Sequence, residues 1–266
     1  MKVAVIGSVG VPASYGGFET LVEYLIDDDR VEFTVYCSGV HYDDRLESYK
    51  GANLVYIPIS ANGVMSIVYD VFSIVHGIFK GHQRFLVLGT SGALIIPLVR
   101  MLFPSIRMVT NVDGVEWRRS KWRGFAKWFL KFSEFLAVHF SHAIVADNDS
   151  IVRHVATQYK RDCCTIAYGG DHALENISSA KFMSLVPNSS FALSICRIEP
   201  ENNVEMILEA FSKISKDLVF IGNWQATRYG RTLFSKYCNC QNLHLMDPIY
   251  ETSSLYVYRK NCDFYV

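Results

Sequence analysis

The sequence has no net charge to offer a partner, since 26 basic residues are matched by 26 acidic ones. A global pull toward nucleic acid or membrane is thereby excluded, and electrostatic steering must come from local patches. No run is long enough to span a bilayer. The most lipid-like stretch, FLVLGTSGALIIPLV (Phe85 to Val99), is short and holds Gly, Thr, Ser and Pro, so it reads as buried strand, turn and helix. At the N-terminus one lysine precedes VAVIG, which is too short for the apolar region of a signal peptide and reads as a first buried strand. The seven cysteines include the adjacent Cys163 and Cys164 and a C-x-C at Cys238 and Cys240, but no C-x-x-C pairs near histidines. Such an odd, irregular set favours reduced thiols in a cytoplasmic protein over a disulfide scaffold or a zinc site. The histidines show no H-E-x-x-H or other close spacing, so no metal is expected.

Two phosphate-binding signatures are missing as well. The loop after the first strand, GSVGVPASYGGFET (Gly7 to Thr20), gives G-x-x-G at Gly7 and Gly10 rather than G-x-G-x-x-G, and no acidic residue about 20 positions on ends a second strand in the usual way. The absence of G-K-[ST] excludes a P-loop. What remains is Gly16 and Gly17 opening a helix. That arrangement suits an anion approaching backbone N–H groups, and it equally suits plain turn chemistry.

What the chain does have is a large apolar fraction, half of its 266 residues, enough for a sizeable core. Short, nearly continuous apolar runs (KVAVIG, EFTVYC, NLVYIPI, FLVLG, RMVTNV, HAIVAD, CTIAYG) alternate with GGFETLVEYLID, MSIVYDVFSIVHGIFK and FAKWFLKFSEFLAVHF, whose apolar residues recur at spacings of three and four. The pattern predicts a parallel α/β sheet, buried on both faces and wound with helices. A polar, proline-broken stretch, NISSAKFMSLVPNSS, predicts a linker over 173–190. It separates an N-terminal domain over 1–172 from a second alternating domain over 191–266: FALSIC, NNVEMILEAFSKIS, DLVFIG, YGRTLFSKYC, NLHLM, ETSSLYVYRKN, CDFYV. As written, this second domain is expected to be incomplete, because the sequence stops inside an apolar strand.

Three segments carry candidate chemistry. In NVDGVEWRRSKW (Asn111 to Trp122), Asp113 and Glu116 follow a strand, where open α/β sheets place their ligand crevice. The same residues also fit an Asp-Gly turn and an ion pair of Glu116 with Arg118 or Arg119. WRRSKWRGFAKWFLKF interleaves cations and aromatics without an acid, which suits anionic lipid headgroups or a polyprenyl phosphate, and equally an ordinary amphipathic helix. Nucleic acid is not expected, since no nucleic-acid fold accompanies the patch. In CRIEPENN, Arg197 leaves a strand end and could clamp a diphosphate or pair with Glu199 or Glu201, while Asn202 or Asn203 is placed to cap the next helix.

Taken together, YGGFET, VDGVEWRRSKW, YGGD, CRIEPENN, FIGNW and DPIY resemble, in order and over nearly the whole chain, bacterial GT-B glycosyltransferases. The resemblance is to the GT4-like group that includes rhamnosyltransferases of capsule and O-antigen assembly. It implies two Rossmann-like domains facing a cleft and transfer of a hexose or deoxyhexose from a nucleotide diphosphate sugar to a lipid-linked oligosaccharide, without metal or other cofactor. It places Gly16 and Gly17 by the departing diphosphate, Arg197 and Asn202 on the donor phosphates and Asp113 by the reacting sugar. Glu19, Glu116, Trp117, Arg118 and Arg119 fall on the acceptor side. Two departures stand out. Many relatives carry a lysine where this chain has Asn202, and the family continues past its CD-x-YV strand into a donor-binding loop and helix. A C-terminally truncated cytoplasmic enzyme is therefore expected, with peripheral contact on the inner face of the cell membrane. The alternatives are a non-catalytic acceptor-binding remnant or accessory subunit and, less well matched, a nucleotide-dependent oxidoreductase.

Overall fold

KVAVI forms strand β1 (Lys2–Ile6), whose alternation sorts Ala4 and Ile6 onto one face of a sheet and Val5 onto the other. A computed structural model describes residues 1–13, 16–118, 122–174 and 190–266. The chain divides into two units, Met1–Tyr168 and Gly169–Val266, each with its own sheet. Most of the linker expected over 173–190 lies outside the described residues.

In the first unit β1 is followed by α1 (Gly17–Leu25), β2 (Glu32–Ser38), the short β3 (Ser48–Tyr49), β4 (Ala52–Ile57) and α2 (Met65–Phe79). Next come β5 (Arg84–Leu88), a 3-10 turn (Ser91–Ile95) running into α3 (Ile96–Leu102), and β6 (Arg107–Asn111). The unit continues through α4 (Gly124–Phe140), β7 (Ala143–Ala146), α5 (Asp149–Tyr159) and β8 (Cys164–Thr165). The sheet order is β3-β4-β2-β1-β5-β6-β7-β8, parallel except for the β3–β4 pair. The chain winds outward from β1 through β2 to β4, then returns to β5 on the other side of β1. The boundary between β1 and β5 is thus a topological switch point, the place where open α/β sheets leave a crevice beyond their strand ends.

Helices α2, α3 and α4 cover one face of this sheet, with Ile74, Ile96, Val99, Leu136 and Ala137 packed over Ile6, Phe85, Val87 and Met108. α1 covers the other face through Val22 and Ile26 over Val5, Phe33 and Val35. α2 lies so close to the sheet that a Cβ on Gly77 would come 2.7 Å from the Phe85 ring. The sequence reading does not single out α5, whose ends are nonetheless well marked. Asn148 caps it by accepting from the N–H groups of Ser150 and Ile151 at 2.9 and 3.1 Å, and Lys160 closes it in the left-handed region. The strand expected over 164–169 is confined to Cys164–Thr165, which pair with Val145 and Ala146.

The second unit runs β9 (Phe191–Ile195), α6 (Val204–Phe211), β10 (Asp217–Ile221), α7 (Arg228–Tyr237), β11 (Leu243–Met246), α8 (Thr252–Asn261) and β12 (Phe264–Tyr265). Its parallel order is β11-β10-β9-β12, with the switch point between β9 and β12. α6 and α7 bury Val204, Leu208, Phe211, Leu233 and Tyr237 on one face; Leu255 and Tyr258 of α8 pack on the other.

Candidate functional site

The loop from β1 to α1 begins with a forced glycine. Gly7 has φ +97°, and a Cβ there would lie 2.0 Å from the Leu88 carbonyl oxygen at the end of β5. Two N–H groups of this loop are already used. Val9 N–H donates to Glu19 Oε1 at 2.6 Å, and Ala13 N–H donates to Glu23 Oε2 at 2.5 Å. Glu19, only 4% exposed in the first turn of α1, sits where the helix dipole favours a carboxylate. It therefore braces the loop from inside. Tyr49 O–H donates to Glu23 Oε1 at 2.6 Å and Tyr42 O–H donates to the Pro12 carbonyl at 3.0 Å, so the loop is tied to its surroundings along most of its described length. Gly16 is the N-cap and Gly17 the first residue of α1; a Cβ on Gly17 would meet nothing, whereas one on Gly16 would lie 3.0 Å from Glu19 Oε2, so the loop is open at Gly17.

Beyond the strand ends at the β1/β5 switch point lies a cavity of about 680 Å³. Gly7, Leu88, Gly89 and Thr90 line it from the strand ends, Phe18 from α1, Ile67 and Val68 from α2, and Phe125, Phe129 and Leu130 from α4. Asp113 and Glu116 line it too, and they are its acidic groups. Its size is that of a small-molecule site, about 300–1,000 Å³. Asp113, two residues past β6, is exposed, as an acid positioned to reach a ligand must be. Glu116 is half-buried and accepts from the indole N–H of Trp122 at 2.9 Å.

Trp117 faces the helices. Its Nε1 donates to Glu134 Oε2 at 3.1 Å, while Arg118, Lys127 and Lys131 lie 5.2, 5.9 and 5.1 Å from its ring centre. Glu134 is 2% exposed and gathers two more contacts on Oε1, from Tyr159 O–H at 2.6 Å and His154 Nε2 at 2.8 Å. Burial, then the Glu134 carboxylate, push the Tyr159 hydroxyl far above its usual range, so it stays a donor. Sequence reasoning missed this network. The available signal was an acid at position 134 on the same helix face as Ala137 and Val138, which are buried. Arg119 lies outside the described residues.

In the second unit Arg197 follows β9 at the switch point, with its side chain 56% exposed and its guanidinium 3.9 Å from Glu199. Asn202 donates from Nδ2 to the Arg197 carbonyl at 2.7 Å and so shapes the turn that presents the arginine. Asn203 occupies the N-cap position of α6 in the left-handed region, without a side-chain capping bond. Among the described residues no group of three His, Cys, Asp or Glu side chains could hold a metal ion, and no helix is long and apolar enough to cross a membrane.

Two parallel, helix-wound sheets, each with its own switch point, define a chain of the GT-B fold. Similar solved structures include trehalose 6-phosphate synthase from Burkholderia multivorans, at 9% identity and a TM-score of 0.69, covering 100% of this chain and 77% of that one. WaaG, a glycosyltransferase involved in lipopolysaccharide biosynthesis, is similar at 12% identity and a TM-score of 0.69, covering 100% and 74%. UDP-GlcNAc 2-epimerase from Neisseria meningitidis, bound to UDP-GlcNAc, follows at 14% identity and a TM-score of 0.59, covering 100% and 76%. At these identities the likeness is one of fold. Residues 1–171 match the family described as Domain of unknown function (DUF1972), and the chain belongs to that family. Comparison with curated protein sequences gives no match.

Proposed function

We propose that this protein is a glycosyltransferase that moves a hexose or deoxyhexose, rhamnose among them, from a nucleotide diphosphate sugar to a lipid-linked oligosaccharide in surface polysaccharide synthesis. The observation that carries the reading is Arg197, a half-exposed guanidinium at the switch point of the second sheet in a GT-B fold. A planar fork of N–H donors there suits a diphosphate. In this reading Asp113, exposed at the crevice of the first unit, takes the proton from the acceptor hydroxyl as the glycosidic bond forms. The electron pair of the broken sugar–phosphate bond leaves with the nucleotide diphosphate, whose charge the N–H donors of Arg197 stabilise. No metal is invoked, because the charge on the leaving group is met by these donors. The acceptor is presented at an anionic membrane surface by α4, whose exposed Lys127 and Lys131 stand among aromatic rings.

Titration calorimetry of the chain with uridine, thymidine and guanosine diphosphates tests the donor side. Arg197→Ala removes charge-assisted bonds worth roughly 1.5–3 kcal/mol, so binding should weaken about tenfold to a hundredfold. Arg197→Lys should recover only part of this. If no diphosphate binds the unaltered chain, the enzyme reading fails and a non-catalytic acceptor-binding protein replaces it.

A further inference from the structure

The cavity of the first unit has an uneven wall. Its floor at Leu88 is 2% exposed, and its rim at Val64 and Phe125 is 71% and 75% exposed. The rim belongs to a wider apolar face. α2 exposes Met65, Val68, Phe72 and Phe79 along one stripe, α3 exposes Leu98, Met101 and Leu102, and α4 exposes Phe125, Trp128, Phe132 and Phe135. The three helices cover the same sheet face, α3 against α4 and both α2 and α4 against the 3-10 turn Ser91–Ile95. Within them the exposed charged side chains are Arg100, Lys127 and Lys131, all cations, while the two acids, Asp70 and Glu134, are buried. An apolar face fringed by cations alone matches an anionic bilayer.

Such a surface explains docking but not the cavity behind it. Between rim and floor the wall is built from Phe18, Ile67, Leu94, Phe129 and Leu130, which offer a sugar ring few hydrogen bonds and a hydrocarbon chain continuous contact. We propose that this cavity takes the hydrocarbon chain of the lipid-linked acceptor, drawn directly from the bilayer through the gap between Val64 and Phe125. The chain lies along the apolar wall, and its phosphate stays outside the cavity, near Phe125, which the exposed Arg123 and Lys127 flank in sequence. This rests on the reading of the crevice as the acceptor site, but it is tested without donor or turnover.

The test titrates the full chain in solution with cis-parinaric acid, a fluorescent single-chain amphiphile. Saturable one-to-one binding is expected. Ala126→Phe and Ser66→Phe fill the cavity from opposite walls, and each displaced methylene costs a factor of about four in affinity, so each variant should bind at least about tenfold more weakly with its melting temperature retained. Hydrogen exchange on the unaltered protein needs no substitution; the probe should slow it in the first turns of α2 and α4. A polyprenyl monophosphate should displace the probe more effectively than phosphatidylglycerol does. Non-saturable partitioning, unchanged binding in both folded variants or unaltered exchange would each overturn the site. Displacement by phosphatidylglycerol alone would overturn the assignment to the acceptor. Diphosphate binding at Arg197 is measured separately, so a failed cavity and a failed transferase reading give different results.

Discussion

Replacing Glu134 should loosen the loop that carries Asp113. Its carboxylate is the common acceptor for Trp117, His154 and Tyr159, which come from the loop after β6 and from α5, so it pins that loop to two helices. Glu134→Ala leaves three donors without their acceptor where His154 and Glu134 side chains are 8% and 3% exposed. Removing one member of such a buried set costs about 3–5 kcal/mol. For a unit of this size each kcal/mol moves the melting temperature by about 2–4 °C, so the transition of the first unit should fall by about 6–20 °C.

Glu134→Gln is the sharper probe. With its amide oxygen in the place of Oε1, the contacts to His154 and Tyr159 survive, while the amide nitrogen opposes the Trp117 N–H, donor against donor. The loss should be only about 1–2 kcal/mol, concentrated on Trp117. Differential scanning calorimetry gives the stability, and acrylamide quenching, read against a Trp117→Phe background, gives the release of that indole. If the Ala variant melts within about 2 °C of the parent, or Trp117 is equally shielded in the Gln variant, Glu134 does not hold this loop.

Three further outcomes are expected. Gly7→Ala should destabilise the first unit by more than about 4 kcal/mol, seen in thermal melts, because a Cβ at φ +97° would lie 2.0 Å from the Leu88 carbonyl oxygen. Asp70 is 2% exposed and burial raises its carboxyl well above 3.8, with the Gly92 amide offsetting part of the rise, so its stabilising proton is fully held below the unfolded value and lost as pH rises toward the folded one. Asp70→Asn should therefore raise the melting temperature at pH about 8 and lose that advantage near pH about 4, whereas a pH-independent difference would refute the burial argument. Lys127→Gln with Lys131→Gln removes two cations worth about 1 kcal/mol each at an anionic surface, so sedimentation with phosphatidylglycerol vesicles should weaken roughly thirtyfold at low salt and by less at high salt.

The strands were legible in the sequence because a parallel sheet covered on both faces needs nearly continuous apolar runs. KVAVI and DLVFI show this directly. α5 was hidden because its buried residues, Ile151, Val155 and Tyr159, are spaced four apart in an otherwise polar segment. At the site, the sequence placed Asp113 only just past a predicted strand, with a plain Asp-Gly turn as the alternative, and the structure has it lining the cavity. The role of Trp117 did not, because its partner Glu134 is 17 residues away and is itself defined by His154 and Tyr159 on another helix. No local pattern encodes that meeting. The cavity was likewise beyond reach, being a gap among residues from β5, the loop after β1 and five helical segments.

The glycine loop shows why composition and chemistry part company. Its glycines suggest backbone donors free for a phosphate, yet Gly7 answers to the Leu88 carbonyl, and a Cβ on Gly10 would collide with Cys37 Sγ at 2.7 Å. The nearby N–H groups of Val9 and Ala13 end on carboxylates of α1. Of the glycines Gly7, Gly10, Gly16 and Gly17, Gly17 is the open one: a Cβ on Gly16 would lie 3.0 Å from Glu19 Oε2, and that carboxylate in the first turn of α1 partly neutralises the helix dipole there. In the second unit the reverse holds: Arg197 stands half-exposed, and the carboxamide of Asn202 is spent on holding its backbone rather than competing for the ligand. Arg197 thus keeps its guanidinium exposed beyond β9, while the cavity of the first unit combines the carboxylates of Asp113 and Glu116 with apolar walls.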